Sequence, residues 1–213
     1  MAFFQALEGK IVANNTSFSL VDLAISLMVI FILLFVATIH NMGKSTETAR
    51  EQLMKALQGQ NIGYEASSTD PFTVKSVIPD DKLQFMNNKA ELLPAGKEFL
   101  DLFIVKEAQA VCHGAIKNKI QAIYIVGHAN SIGTDEHNLK LSQERALAVM
   151  MYALNNKKLS EEERNCLFEL ISVNGRGKRE PVLKQNGSED LIKSRRVEII
   201  HRVKTAEELQ HQK

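Results

Sequence analysis

An unbroken apolar stretch near the N-terminus constrains this chain more than any other feature. Residues 18–39 read FSLVDLAISLMVIFILLFVATI and carry a single charge, Asp22. At about 1.5 Å per residue, a helix over this stretch spans roughly 33 Å, which is enough to cross the hydrocarbon core of a bilayer. The stretch is apolar on every face, whereas a surface helix of a soluble domain has a polar face. The sequence therefore predicts a transmembrane helix over residues 17–40.

A cleaved secretory signal is the main alternative for this stretch. Such a signal has a cationic start, a short apolar core and a small-residue cleavage site. Here the start holds only Glu8 and Lys10, the apolar run is longer, and no Ala-x-Ala follows it. These features favour an uncleaved anchor. The flanking charges are too balanced for the positive-inside rule to decide its orientation.

Asp22 is the informative residue of the span. A carboxylate in the middle of a membrane helix costs about 2.5–3.5 kcal/mol on insertion scales. Two interpretations remain open. In one, Asp22 lies about one turn inside the span and its side chain reaches the interface. In the other, it faces a partner helix and carries a proton or cation, with Ser19 and Ser26 on the same face as hydrogen-bond partners.

The segment that follows, residues 41–69, is polar and contains glycines at 59 and 63. Within it, apolar residues fall at helical spacing: Ala49, Leu53, Ala56 and Leu57. This spacing fits a short amphipathic helix or a frayed connector equally well. The glycines and the Ser67-Ser68 pair indicate a flexible linker before a folded domain.

The rest of the chain has the composition of a globular domain. Overall, 45% of residues are hydrophobic and 24% are charged, which excludes a disordered or collagen-like chain. The formal net charge is +1, so no basic excess indicates direct contact with nucleic acid. The six histidines show no metal-binding spacing, and no nucleophile elbow is present. The sequence therefore predicts no metal site, no cofactor and no enzyme.

From residue 70 to residue 213, strand patterns and helix patterns alternate. This order predicts an α/β sandwich, one sheet with helices packed on it. Strand patterns lie at 72–78, 122–126, 171–173 and 195–203, and helix patterns begin at Pro94, Ser142 and Ser160. Serine is a good helix N-cap, and three glutamates follow Ser160. The polar tail TAEELQHQK is expected to fray.

Four ordered blocks in this region resemble the OmpA-like peptidoglycan-binding domain. They are LQFMNNKAELLPAGKEFLD at 83–101, IVGHANSIGTDEHNLKLSQERALAV at 125–149, NGRGKREPV at 174–182 and SRRVEI at 194–199. The resemblance implies an α/β sandwich that holds the diaminopimelate stem of peptidoglycan.

The resemblance also implies four peptidoglycan-binding residues. Arg145 matches the family's ligand-binding arginine, and its planar guanidinium suits a carboxylate. Asn138 and Leu141 match the N-x-x-L part of the same motif, although Asn138 equally fits a role in pinning its loop. Asn130 stands where the family usually has an aspartate that contacts the ligand's amino group. An asparagine still accepts a hydrogen bond, but it brings no charge to pair with an ammonium.

An OmpA-like domain behind one membrane helix with an early aspartate resembles the MotB family of ion-driven motor subunits. The resemblance implies that Asp22 carries the ion, and that a homodimer of this chain sits inside a ring of five copies of a MotA/ZorA-like multi-span membrane protein. It places the chain in the bacterial inner membrane, with residues 1–16 in the cytoplasm and the domain in the periplasm. Residues 41–69 would act as a plug, and peptidoglycan would hold the chain still.

The short, nearly neutral N-terminal tail favours one branch of this family. It is more similar to the B subunit of the Zorya anti-phage defence motor than to a flagellar stator subunit, which usually has a basic tail. A passive tether from membrane to cell wall, without ion flow, is the alternative. Cys112 and Cys166 both fall in the domain assigned to the oxidising periplasm, so they fit either a disulfide or two buried thiols.

Overall fold

The computed structural model of the chain describes residues 2–58, 62–67 and 70–210, and in its first helix it describes the side chains of residues 20–41 and 49–57. The chain divides into two compact units, Met1–Lys44 and Ser45–Lys213. The sequence placed the start of the folded domain at residue 70, whereas the second unit begins 25 residues earlier.

The first helix, α1, runs over Ala2–Leu57, and its part up to Lys44 forms the N-terminal unit. Its segment Leu20–Asn41 has a mean hydropathy of 2.9 and is long and apolar enough to cross a membrane. The side chains of this segment are exposed along its whole length. The predicted apolar helix is therefore confirmed as a candidate membrane span.

The last turns of α1 belong to the second unit because one face of them is apolar. Ala49, Leu53 and Leu57 are fully buried in the hydrophobic core, whereas Ala56 is exposed. The segment predicted as either a helix or a frayed connector is thus helical up to Leu57. The Nζ of Lys119 adds a polar contact by donating to Gln52 Oε1 over 2.8 Å.

The second unit is built around a sheet of mixed direction. Among the described residues its strand order is β1-β2-β5-β3-β4. The strands are β1 (Tyr64–Ala66), β2 (Thr73–Pro79), β3 (Ile120–His128), β4 (Ile171–Gly175) and β5 (Arg196–Val203). Only the β3–β4 pair is parallel among these. The carboxyl ends of β3 and β4 therefore meet at one edge of the sheet, where the connecting loops gather.

Helices and turns connect these strands. They are α2 (Asp80–Leu83), α3 (Pro94–Cys112), a 3₁₀ turn (Gly114–Ile116), α4 (Asp135–Leu154), α5 (Glu161–Leu170), α6 (Leu191–Ser194) and α7 (Ala206–Gln210). Helix α5 begins with the predicted cap: Ser160 and Glu163 each accept a hydrogen bond from the other's backbone N–H. The α/β architecture is confirmed, and the tail expected to fray forms α7 up to Gln210.

The prediction that a helix begins at Ser142 is wrong. Helix α4 begins at Asp135, and the Thr134 side chain caps it by accepting from the backbone N–H of His137 over 3.2 Å. Ser142 lies two turns inside α4 and is fully buried. Its hydroxyl accepts a hydrogen bond from the backbone N–H of Gly177, whose positive φ of 57° suits a glycine. Most residues in the first two turns of α4 are polar and exposed, so these turns show no apolar periodicity.

Candidate functional site

The candidate site lies where β3 ends and α4 begins, and Asn130 is its first residue. Asn130 is buried, and both ends of its side-chain amide are used inside the domain. Nδ2 donates to the backbone carbonyl of Leu191 over 3.3 Å, and Oδ1 accepts from the backbone N–H of Ile132 over 3.2 Å. The amide therefore joins the loop after β3 to the segment that enters α6.

Asn138, in the first turn of α4, holds the same loop from the other side. It is 3% exposed, and its Nδ2 donates to the carbonyls of Asn130 and Ile132 over 3.2 and 2.9 Å. These two hydrogen bonds hold the loop after β3 in place. Leu141 is buried one turn later on the same face of the helix.

Arg145 lies seven residues after Asn138, about 10 Å farther along α4. It is buried to 7% exposure, which is unusual for an arginine. Its Nε donates to the backbone carbonyl of Lys89 over 3.1 Å, and its guanidinium carbon lies 5.0 Å from the centroid of the Phe85 ring. A hydrogen bond and a cation–π contact thus fix the guanidinium while its terminal N–H groups make no hydrogen bond among the described contacts.

The charges around Arg145 come from two neighbouring segments. Asp80 Oδ1 lies 3.8 Å from Arg145 Nη1, beyond hydrogen-bond distance, whereas Asp80 Oδ2 accepts from Arg195 Nε over 3.0 Å. Burial lowers the pKa of Arg145, while Asp80 opposes this shift and Arg195 adds to it. An arginine stays protonated in proteins, so the site presents a desolvated, rigid cation to a carboxylate.

The structure adds Glu189, which the sequence reasoning did not single out. Both of its carboxylate oxygens lie 3.2 Å from the backbone nitrogen of Ser131, the residue after Asn130. Partial burial raises the pKa of Glu189, but hydrogen bonds from Ser131 and Ser194 lower it more, so the net pKa is below its ordinary value. Its position in the GSEDLIK segment, just before the SRRVEI block, was the signal that the sequence offered.

A second polar cluster lies beside the site. The imidazole of His128 is fully buried, with Nε2 3.5 Å from Glu198 Oε2 and Nδ1 3.9 Å from Glu180 Oε2. These three residue types can hold a metal ion. Glu198 already pairs with Arg196 Nε at 2.9 Å and Lys75 Nζ at 3.4 Å, so cations balance its charge. The Arg196–Glu198 pair is thus a structural ion pair.

The remaining sequence-predicted residues belong to other parts of the chain. Cys112 at the end of α3 and Cys166 in α5 form a disulfide. Asp22 lies in the N-terminal unit, exposed on α1, with Ser26 one turn later in the helix. The structure thus brings Asn130 and Asn138 into direct contact, places Leu141 and Arg145 farther along α4, and leaves the role of Asp22 as a prediction.

Comparison with known proteins identifies relatives of the second unit. A family model described as the OmpA family matches residues 84–195, more than half of the chain. "Outer membrane protein A" of Bordetella avium is 32% identical over 129 residues, which are 61% of this chain and 58% of that protein. The chain thus spans under two thirds of the length of this curated relative.

Solved structures share the fold at lower identity. The periplasmic domain of Helicobacter pylori MotB superposes with a TM-score of 0.51 at 14% identity, over 73% of this chain and 87% of that one. A putative MotB-like protein from Desulfovibrio vulgaris gives a TM-score of 0.50 at 16% identity, over 78% of this chain and 98% of that one. At these identities the similarity concerns the fold alone.

Proposed function

Because this chain belongs to the OmpA family, we propose that its second unit binds peptidoglycan through Asn130, Asn138, Leu141 and Arg145. The observation that carries this proposal is the buried Arg145. Its Nε is held by the Lys89 carbonyl, and its terminal N–H groups are left for a ligand. A guanidinium fixed in this way suits the carboxylates of a peptidoglycan stem peptide, because it can donate two parallel hydrogen bonds.

The chain on this proposal is a single-pass protein of the bacterial inner membrane. Its N-terminus lies in the cytoplasm and its second unit in the periplasm, where peptidoglycan is accessible. Two features support this placement. The segment Leu20–Asn41 is long and apolar enough for a span. The Cys112–Cys166 disulfide suits an oxidising compartment.

We further propose that the chain is the peptidoglycan-anchored subunit of an ion-driven motor. Asp22 carries a proton or sodium ion past a MotA/ZorA-like multi-span partner, whose ring turns around a dimer of this chain. Two features support the proposal: a carboxylate within an apolar span, where its insertion is costly, and a fold shared with MotB periplasmic domains. The residues before the span carry only Glu8 and Lys10 as charges, and this lack of a basic excess favours anti-phage defence of the Zorya type over a flagellar stator. A passive tether without ion flow is the second candidate.

Retention on purified peptidoglycan sacculi tests the binding proposal. The whole chain in detergent is mixed with sacculi and sedimented. Wild type is expected in the pellet, and Arg145→Ala is expected to remain in the supernatant. Lys157→Ala removes an exposed cation just beyond the other end of α4 and should sediment like wild type. A wild-type chain that stays in the supernatant contradicts the proposal.

A further inference from the structure

Asn130 brings no charge to the candidate site, because its side chain is a neutral amide. A peptidoglycan stem that contains diaminopimelate offers an ammonium beside its carboxylates, and a neutral amide pairs with an ammonium far less strongly than a carboxylate does. The amide of Asn130 is also committed, with Nδ2 on Leu191 and Oδ1 on Ile132. Another residue must supply the negative charge if the ammonium is recognised.

Glu189 contacts the residue next to Asn130. Its two carboxylate oxygens share the single backbone N–H of Ser131, with each oxygen 3.2 Å from the nitrogen. The hydrogen bond from Asn130 to the carbonyl of Leu191 holds the Glu189 segment against the same loop. These hydrogen bonds thus hold the Glu189 carboxylate at the loop that contains Asn130.

The carboxylate of Glu189 is available to a ligand. A carboxylate has about four acceptor positions, and the hydrogen bonds from Ser131 and Ser194 use only part of them. Burial and the hydrogen bonds from Ser131 and Ser194 are the influences on its pKa, and no cation is among them. Glu189 is half-buried, so part of the group faces solvent.

Asp80, the acid beside Arg145, is a poorer candidate. Its Oδ2 is bound by Arg195 at 3.0 Å, and its Oδ1 lies 3.8 Å from Arg145. An ammonium that approached Asp80 would meet two guanidinium groups of like charge, whose repulsion is strong at such distances in a partly buried site. An ammonium therefore meets less repulsion at Glu189 than at Asp80.

We propose that Glu189 is the specificity-determining residue that binds the ligand's ammonium group in place of the charge that Asn130 lacks. This rests on the proposed peptidoglycan binding. The site then recognises a zwitterionic ligand, with Arg145 on a carboxylate and Glu189 on an ammonium.

Competition with two small molecules tests this assignment. Diaminopimelate and pimelate share a seven-carbon dicarboxylate skeleton, but only diaminopimelate carries ammonium groups. Each is titrated against the whole chain bound to sacculi, and the concentration that releases half of the protein is measured. Because a hydrogen bond to a charged group is among the stronger ones, wild type should be released by roughly 10- to 100-fold less diaminopimelate than pimelate.

The variant Glu189→Gln isolates the charge. Its amide oxygen still accepts from the Ser131 N–H, so the loop contact is kept and only the negative charge is lost. The preference for diaminopimelate should fall to roughly twofold or less, while release by pimelate stays at the wild-type concentration. Glu169→Gln, an exposed change in α5, should keep the full preference. If the role of Glu189 were purely structural, Glu189→Gln would weaken the binding of diaminopimelate and pimelate to the same extent.

The outcomes separate the two proposals. A Glu189→Gln chain that keeps the full wild-type preference for diaminopimelate overturns the assignment, and so does a wild-type chain that binds sacculi but is released equally by both compounds. A wild-type chain that does not sediment with sacculi overturns the proposed function itself, and the role of Glu189 with it.

Discussion

The side-chain amide of Asn138 donates a hydrogen bond to the backbone carbonyl of Asn130 over 3.2 Å. This contact ties the first turn of α4 to the loop at the end of β3. The same amide also reaches the carbonyl of Ile132 at 2.9 Å, so one buried side chain sets the path of three loop residues. Arg145 projects from the same helix, and the loop and the guanidinium are therefore held in one fixed arrangement.

Asn138→Asp should loosen this arrangement. An ionised carboxylate cannot donate, so it would place negative charge against two carbonyl oxygens in a buried position. We expect a loss of about 1–3 kcal/mol in the free energy of unfolding, together with weaker retention on sacculi. Denaturant unfolding of the chain in detergent measures the first effect. Asn118→Asp, exposed in a turn, should change neither property, and a fully stable Asn138→Asp chain would show that the loop does not depend on the amide.

Asp22→Asn distinguishes a motor from a tether. The change is nearly isosteric and removes the ionisable group, so an ion-carrying role predicts complete loss of phage defence or motility while the partner protein still co-purifies. The passive tether predicts full function. Arg145→Ala should abolish function under either account, since both need the wall contact, and Asp135→Asn at an exposed position should be harmless.

Gly127→Ala should destabilise the second unit strongly. A Cβ at Gly127 would lie 2.1 Å from the backbone oxygen of Ser142, because β3 and α4 approach closely there. Backbone must shift to admit the methyl group, which costs about 1–3 kcal/mol or more. Gly63→Ala is the matched control, because no heavy atom lies within 4 Å of the place that its new methyl group would take. Equal melting temperatures for the two variants would contradict the close approach.

Stability at acid pH should depend on Glu198. Burial raises the pKa of this carboxylate, but hydrogen bonding and charge from His128 and Arg196 outweigh it and bring the pKa from 4.5 to about 2. A depressed folded-state pKa contributes stability that is present above the unfolded pKa and is lost as the pH falls through the folded pKa. Between pH 5 and pH 2 we expect a loss on the order of 3 kcal/mol from this group.

Denaturant unfolding across that pH range measures the effect. Glu198→Gln removes the titration and should flatten the dependence of stability on pH between about 5 and 2, at the cost of lower stability at neutral pH. An identical pH slope in wild type and variant would show that Glu198 does not carry the linkage.

Removal of the disulfide should lower stability without changing ligand preference. The bond between Cys112 and Cys166 closes a loop with a sequence separation of 54 residues. Cross-links of this kind contribute roughly 2–4 kcal/mol, largely by restricting the unfolded chain. The double variant Cys112→Ser/Cys166→Ser should melt at a lower temperature, and a reducing agent should shift wild type by a similar amount. Retention on sacculi should persist in both.

Strong periodic signals predicted most of the second unit, and weak ones failed for physical reasons. The strands at β2, β3, β4 and β5 were predicted because apolar and β-branched residues recur there. β1 was missed because three residues at a sheet edge carry no pattern, and its stability comes from pairing with β2. The start of α4 was missed because most of its first two turns is polar and exposed, without apolar periodicity. The cap is Thr134 rather than Ser142.

Some residues of the candidate site could be predicted from the sequence, and others could not. Asn138 and Arg145 stand in a motif with fixed spacing, so the sequence could single them out. Glu189 could not be found in this way, because its contact with Ser131 joins residues 58 positions apart and exists only after folding. The packing of the Arg145 guanidinium over the Phe85 ring likewise exists only after folding.

The apolar face at the end of α1 has a practical consequence for experiments. The hydrophobic core of the second unit includes Ala49, Leu53 and Leu57. A fragment that begins at residue 70 would lack them, so the core residues they cover would be exposed to water. It would also lack the edge strand β1. Such a truncated product should aggregate on expression. Recombinant versions of the second unit should therefore begin at Ser45 or earlier.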